Sequence, residues 1–269
     1  MLNSVKRVRI IESRYKRRTV GAGFTYRLIQ RSIRTGQAVS VIRLGDVMGK
    51  LLARRQLRSL SYVSSFLGIH LPPSAAFLRE LEQAVRAATV VGVSHYLSSI
   101  NHIQAFLRRT GWRPPYIADS FINDQLYQKG YLHRLLRSYR VALVGRAAPR
   151  AAKQLRKQGI RVALTVPLNH YRELGRTLGQ LAKQQERFDL VLVGASVPGR
   201  ILCPRIVQQL GKSAIEIGHM MDAFAHPREW TGSNYGTKRQ RFKFRWLRRL
   251  KRNGGTRPNG QGVKARRKA

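Results

Sequence analysis

Apolar positions along the chain follow two periods that alternate. Short β-branched runs at 189–194 (DLVLVG) and 213–217 flank a stretch, 201–210, in which Ile201, Leu202, Ile206, Val207 and Leu210 repeat on one helical face. Gly211 is placed to close that helix. The spacing predicts buried strand, Gly/Pro turn, helix and second buried strand, with His219 and Asp222 where the second strand runs out. The same alternation precedes it. Strands are expected at 38–44, 89–93, 140–145 and 160–166, and helices at 47–59, 74–88, 103–109, 122–137, 147–158 and 171–187. Strands alternating with helices in this way predict βαβ units, so the expected fold is α/β, a Rossmann-like, mostly parallel sheet sandwiched by helices. Ligands in such sheets bind beyond the carboxyl ends of the strands, which makes His219 and Asp222 candidate site residues.

Charge changes this picture at the ends of the chain. The 269 residues hold 52 Lys and Arg against 12 Asp and Glu, a net charge of +40. Such a field favours polyanions, whether nucleic acid, anionic membrane or an acidic polymer, and says nothing about fold. Residues 1–34 carry ten basic side chains against Glu12, residues 35–236 carry 28 against 11 acids, and residues 237–269 carry fourteen against none. The expected organisation is a basic N-terminal arm at 1–34, an α/β domain at 35–236 and a basic, disordered C-terminal tail at 237–269. Within the tail, Phe242, Trp246 and Leu250 recur at helical spacing among arginines. That pattern suits an anionic membrane surface, nucleic acid or an acidic partner, and equally suits docking on the protein's own domain. The lone Cys203 falls in an apolar segment and is expected to be a buried, inert thiol. No apolar run reaches the length of a membrane span, and the basic N-terminus lacks a secretory apolar core. The expected location is therefore cytoplasmic, peripheral at the inner membrane face.

Several motifs fail on their own chemistry. Gly194 to Gly199 has the outline of a phosphate-binding loop, but Arg200 and Ile201 stand where Lys and Ser/Thr are needed. Gly145-Arg146 lacks the later glycines of a dinucleotide fingerprint, no Cys/His pair has zinc spacing, and there is no G-x-S-x-G elbow. What remains is the scarcity of acids. Asp46, Asp119, Glu216 and Asp222 stand beside glycines or strand ends, where a carboxylate can bind a metal, act as a general base or accept from a sugar hydroxyl. Asp46 can equally cap the helix it precedes, and His219 can equally be a satisfied strand-end histidine. Arg43, Arg146 and Arg200 lie near strand ends, where guanidinium groups can clamp a diphosphate.

The string SVIRLGD at 40–46 resembles the RxGDGE segment of the GT-D fold glycosyltransferases. AVRAATVVG at 84–92, DSFINDQLY at 119–127 and GKSAIEIGH at 211–219 resemble further blocks of that family, notably its GT-D-like branch in spore-forming Gram-positive bacteria, in family order over residues 35–225. The resemblance implies transfer of a sugar from a nucleotide-activated donor, a UDP-sugar, on an α/β fold to an acceptor it does not identify; the basic charge makes an acidic acceptor one option. The resemblance further implies that the Asp-x-Glu element, here at Asp46, helps to bind a divalent Mn2+ or Mg2+ and the diphosphate. Together with the strand-end positions above, the candidate site is catalytic Asp46, Asp119 and Asp222, donor or diphosphate contacts at Arg43, Gly45, Gly145, Arg146, Gly194 and His219, and a metal at Asp46, His219 and Asp222. The chain departs from the pattern at one place: Asp46-Val47-Met48 replaces Asp-Gly-Glu. A thioether cannot coordinate a hard, oxygen-preferring cation. Three outcomes stay open: metal held through Asp46 with His219 or Asp222, metal-independent transfer with arginines neutralising the diphosphate, or a non-catalytic module that binds nucleic acid, anionic polymer or membrane through its basic arms.

Overall fold

The computed structural model describes residues 3–230, so the expected tail at 237–269, with Phe242, Trp246 and Leu250, lies outside the described residues. The strands are β1 (Ser40–Leu44), β2 (Val90–Val93), β3 (Tyr116–Asp119), β4 (Val141–Val144), β5 (Val162–Val166), β6 (Leu190–Val193) and β7 (Ser213–Glu216). They form one sheet in the order β3-β2-β1-β7-β6-β4-β5, with every pairing parallel. Helices α1 (Ser4–Tyr15) and α2 (Ala22–Thr35) precede β1, and α3 (Asp46–Ala53), α4 (Ser64–Leu67) and α5 (Ala75–Arg86) lead from β1 to β2. Then come α6 (Leu97–Thr110) before β3, α7 (Ile122–Gln128) and α8 (Tyr131–Ser138) before β4, and α9 (Ala148–Arg156) before β5. The chain ends its described part with α10 (Leu174–Ala182) before β6, α11 (Ser196–Leu210) before β7, and α12 (Met220–Ala225) and α13 (Pro227–Trp230) after it.

Side chains alternate across the sheet into two cores. Ile42, Leu44, Val91, Val144 and Val193 pack with α1, α3, α5, α6, α10 and α11 on one face. Val41, Val90, Leu143, Leu192 and Ile215 pack with α2, α7, α8, α9 and α12 on the other. Cover on both faces is why the strands read as short apolar runs rather than as an alternation. Cys203 lies in the first core as a free thiol, and burial pushes its pKa well up. No helix among the described residues is long and apolar enough to cross a membrane.

The structure corrects the expected boundaries where local chemistry opposes the period. The segment read as a basic arm, 1–34, is α1 and most of α2: Ile11 and Tyr15 are buried in one core, Ala22 and Ile29 in the other. The helix expected over 47–59 stops at Ala53, where Arg54 takes a left-handed φ of 55° and its N–H bonds back to Leu51 and Lys50. The one expected over 122–137 breaks at Gly130, φ 72°, and the one over 171–187 shortens to α10 between two 3-10 turns. Conversely, α11 starts at Ser196, because Pro198 falls in the first turn, where a missing N–H costs no helical bond.

One irregularity in the sheet matters most. β1 pairs with β2 as far as Leu44↔Val93, and β6 pairs with β7 as far as Val193↔Glu216. Between β1 and β7, however, only Ser40↔Ala214 and Val41↔Ile215 pair. The two central strands therefore part at their carboxyl ends. Strand order also reverses direction there, so the opening sits at the kind of switch point where α/β sheets bind ligands.

Candidate functional site

Side chains fill the opening between β1 and β7 and take over its backbone hydrogen bonds. Arg43 of β1 donates to Glu216 of β7 through Nε to Oε2 at 2.7 Å and Nη2 to Oε1 at 3.0 Å, while its Nη1 reaches Asn123 Oδ1 at 3.2 Å. Asn123, on the first turn of α7, donates from Nδ2 to the Ile217 carbonyl at 2.8 Å. Arg200 of α11 donates from Nε to the Arg43 carbonyl at 3.2 Å and places Nη2 3.6 Å from Glu216 Oε1. The Arg43 carbonyl, past the last β1–β7 pair, is thus satisfied by a side chain, while the Ile217 carbonyl also accepts from the Met220 N–H at 3.1 Å.

This cluster is buried: the Arg43 and Glu216 side chains are 11% and 0% exposed. Burial opposes charge on Glu216, but Arg200 and Arg43 beside it prevail and hold the carboxyl below its usual range. Burial likewise opposes charge on Arg43, and Glu216 overcomes it, raising that guanidinium's pKa. At Arg200 burial prevails over Glu216, so its pKa falls from the ordinary arginine value. Two guanidiniums therefore flank one carboxylate at the centre of the carboxyl edge, and the Asp124 carboxylate acts on Arg43 as well. Gly218 makes room for this arrangement: at φ 51°, any added Cβ would overlap the Arg43 guanidinium.

Next to the cluster stands an imidazole with a carboxylate behind it. Asp124 follows Asn123 on α7, and His219 follows Gly218 just before α12; His219 Nε2 and Asp124 Oδ1 are 3.0 Å apart. Asp124 is buried, while a quarter of the His219 side chain is exposed (25%). The carboxylate fixes the orientation of the ring, which is the arrangement of an oriented general base. The dyad and the cluster share one field, since Asp124 acts on Arg43 and His219 on Glu216.

The other residues expected at the site divide. Gly45 ends β1 with nothing within 4 Å of where a side chain would begin. Asp46 is the first residue of α3 rather than its N-cap, and its carboxylate is 46% exposed and paired with Lys50 at 3.2 Å. Met48 is buried in the first core, so the thioether at the family's acid position packs inward. Asp119 is a correction. Its carboxylate accepts from Arg7 Nε at 2.7 Å, Gln125 Nε2 at 3.0 Å and the Phe121 N–H at 3.1 Å, so it ties α1 to the end of β3 and lies outside the Arg43–Glu216 cluster's hydrogen bonds. Asp222 lies on α12, where burial pushes its carboxyl up to about 6 against the opposing pull of Arg146. Arg146 donates from Nε to Asn169 Oδ1 at 3.2 Å. Gly145 and Gly194 are corrections too. A Cβ on Gly145, φ 137°, would overlap the Gly194 carbonyl, and one on Gly194 would overlap Met221. Close packing of strand ends is sufficient to require glycine at both positions.

The expected metal ligands do not converge. Asp46 pairs with Lys50, His219 with Asp124, and Asp222 lies near Arg146. Among the described residues no three His, Cys, Asp or Glu side chains come together as a metal-holding group. The donor set does not fit a hard divalent cation, which needs several oxygens at one point. Sequence reasoning missed Asn123 and Asp124 as site residues. Their signal was present: a polar pair beside Ile122 in an otherwise apolar helical pattern, shortly after a strand end.

The model of the GT-D fold-like domain family matches residues 22–224. Among solved structures, the chain is similar to a protein described as a highly conserved domain of unknown function 1792 with a distinct glycosyltransferase fold; identity is 14%, the TM-score 0.56, and the match covers 82% of this chain and 85% of that one. It is also similar to a protein described as a new glycosyltransferase from Streptococcus sanguinis, at 17% identity and a TM-score of 0.52, over 76% of this chain and 83% of that one. At these identities the likeness speaks for the fold. A comparison with curated proteins finds no match.

Proposed function

This chain belongs to the GT-D fold-like domain family, and from that premise we propose that it moves a sugar from a nucleotide-activated donor, a UDP-sugar, to an acceptor. The observation that carries the reading is the juxtaposition, at the parted ends of β1 and β7, of two arginine guanidiniums with a carboxylate-backed imidazole. The Arg43–Glu216–Arg200 cluster, with Arg146 beyond it, offsets the charge that gathers on the departing diphosphate. Asp46, exposed beside the open Gly45, accepts from a donor hydroxyl. His219, oriented by Asp124, takes the proton of the acceptor hydroxyl as its oxygen bonds to the anomeric carbon and the bond to diphosphate breaks. No step is routed through a metal, because the side chains expected to hold one point elsewhere.

The test is release of UDP from a panel of UDP-sugars by the full-length protein in the presence of a chelator. Turnover should persist under chelation, and His219→Ala should lower it about a hundredfold or more while far-ultraviolet circular dichroism stays unchanged. Equal turnover in the variant would remove His219 from the mechanism. Burial of Met48 where the family carries an acid favours a competing reading. In it the chain is a binding module attached to nucleic acid or an anionic membrane through residues 237–269, and nucleotide binding without turnover on any donor is its signature.

A further inference from the structure

Away from the opening, the described residues enclose a cavity of about 330 Å³ between the loop that precedes α5, the first turn of α5, and the turn after β5. That is space for a single ring with one charged substituent. Its walls are rigid rings. Tyr171 meets Phe77 edge to face at 4.8 Å, its hydroxyl donates to Glu80, and Arg205 holds Glu80 from the other side at 2.7 Å. Pro72 and Pro73 complete the apolar side. The polar side is cationic: Arg172 is exposed and forms no ion pair among the described residues, and His70 lines the cavity with its ring 4.7 Å from that of His170.

Polar groups also link the turn that lines the cavity to α12. Asn169, two residues before Tyr171, accepts from Arg146, and the charge of Arg146 acts on Asp222 of α12, the helix that begins after His219. We infer that this cavity receives the acceptor, as a small ring compound carrying a phosphate: the aromatic and proline walls stack the ring, and Arg172 with His70 takes the phosphate. Calling it the acceptor rests on the transferase reading, whereas the binding chemistry stands on the cavity alone. One consequence is visible at His170. Burial first, then His70 and Arg172, hold its pKa below the ordinary histidine value, with Glu173 opposing them. A phosphate among these groups reverses that balance, so the imidazole gains affinity for its proton when the ligand binds, and binding tightens as pH falls.

The experiment is nuclear magnetic resonance of the full-length protein with nitrogen-labelled histidine, titrated separately with glucose 1-phosphate, UMP and inorganic phosphate. Glucose 1-phosphate should shift the His70 and His170 ring signals saturably and raise the His170 pKa. Arg172→Ala, at an exposed position, should weaken that binding about tenfold. The readout is occupancy, so it is independent of the turnover that tests the transferase reading. No shift at millimolar glucose 1-phosphate would overturn the inference. UMP binding tighter than glucose 1-phosphate would make the cavity a base pocket for the donor, and inorganic phosphate binding as tightly would remove the ring; either result overturns the acceptor assignment.

Discussion

Arg43 reaches Glu216 across the gap where β1 and β7 stop pairing, and both carboxylate oxygens are engaged, at 2.7 and 3.0 Å. The pair closes the sheet electrostatically where backbone hydrogen bonds no longer do, and Arg200 and Asn123 complete the closure. A centre held this way stays polar in the middle of an otherwise apolar sheet.

Replacing Glu216 should therefore be costly. Glu216→Gln leaves two buried guanidiniums without their counter-charge and should lower unfolding free energy by about 3–5 kcal/mol, read from the midpoint of a urea titration. A midpoint equal to wild type would mean that the cluster is not coupled to folding.

Gly218 is the steric counterpart of the same pair. Gly218→Ala combines a left-handed backbone with a Cβ overlapping the Arg43 guanidinium, and should cost at least about 1–3 kcal/mol while displacing Arg43. Thermal unfolding of the variant checks this, and an unchanged Tm would show that the turn relaxes freely.

Asp222 should give a pH signature. Its native carboxyl is raised from 3.8 to about 6 by burial, so the native state binds this proton more tightly than the unfolded chain does. The resulting stability is complete below the unfolded value of 3.8 and is lost as pH rises through about 6. Asp222→Asn should accordingly be more stable than wild type at neutral pH, by on the order of 2 kcal/mol, with the difference vanishing below the unfolded pKa. Parallel unfolding curves at neutral and acid pH would reveal it; a constant difference would contradict the assignment.

Arg7 tests the role given to Asp119. Arg7→Ala strands a buried carboxylate at the end of β3 and should destabilise the fold by about 3–5 kcal/mol. Turnover per folded molecule should stay at the wild-type level, because Asp119 anchors α1 and touches no reacting group. Lost turnover in a fully folded variant would return Asp119 to the chemistry.

Much of the fold was legible because strands covered on both faces read as short apolar, β-branched runs; β2, β4 and β6 lie in unbroken ones, and β1 and β7 are interrupted only by Ser40, Arg43, Ser213 and Glu216. β3 was hidden, a four-residue strand directly after Pro114-Pro115 that begins with the partly exposed Tyr116. Helices α1 and α2 were masked by charge. Lys6, Arg9 and Arg14 on α1 read as an arm, yet Ile11 and Tyr15 on the same helix reach the core, since net charge carries no information about packing. At the site, Arg43 and His219 stood out through their motif blocks and their positions at strand ends. Glu216 stood out too, as a scarce acid at a strand end, whereas Asn123 and Asp124 did not. Arg43 and Glu216 are 173 residues apart in sequence, and nothing local announces that two central strands part and that these two side chains close the gap.

Calorimetric titration of the full-length protein with UDP, in chelator, tests the central claim most directly. A nucleotide-sugar site at the opening of the sheet should give saturable heat in wild type, weakened about tenfold by Asp46→Ala, a substitution at an exposed carboxylate that leaves the fold intact. Absence of heat at millimolar UDP, or identical binding in the variant, would contradict the account.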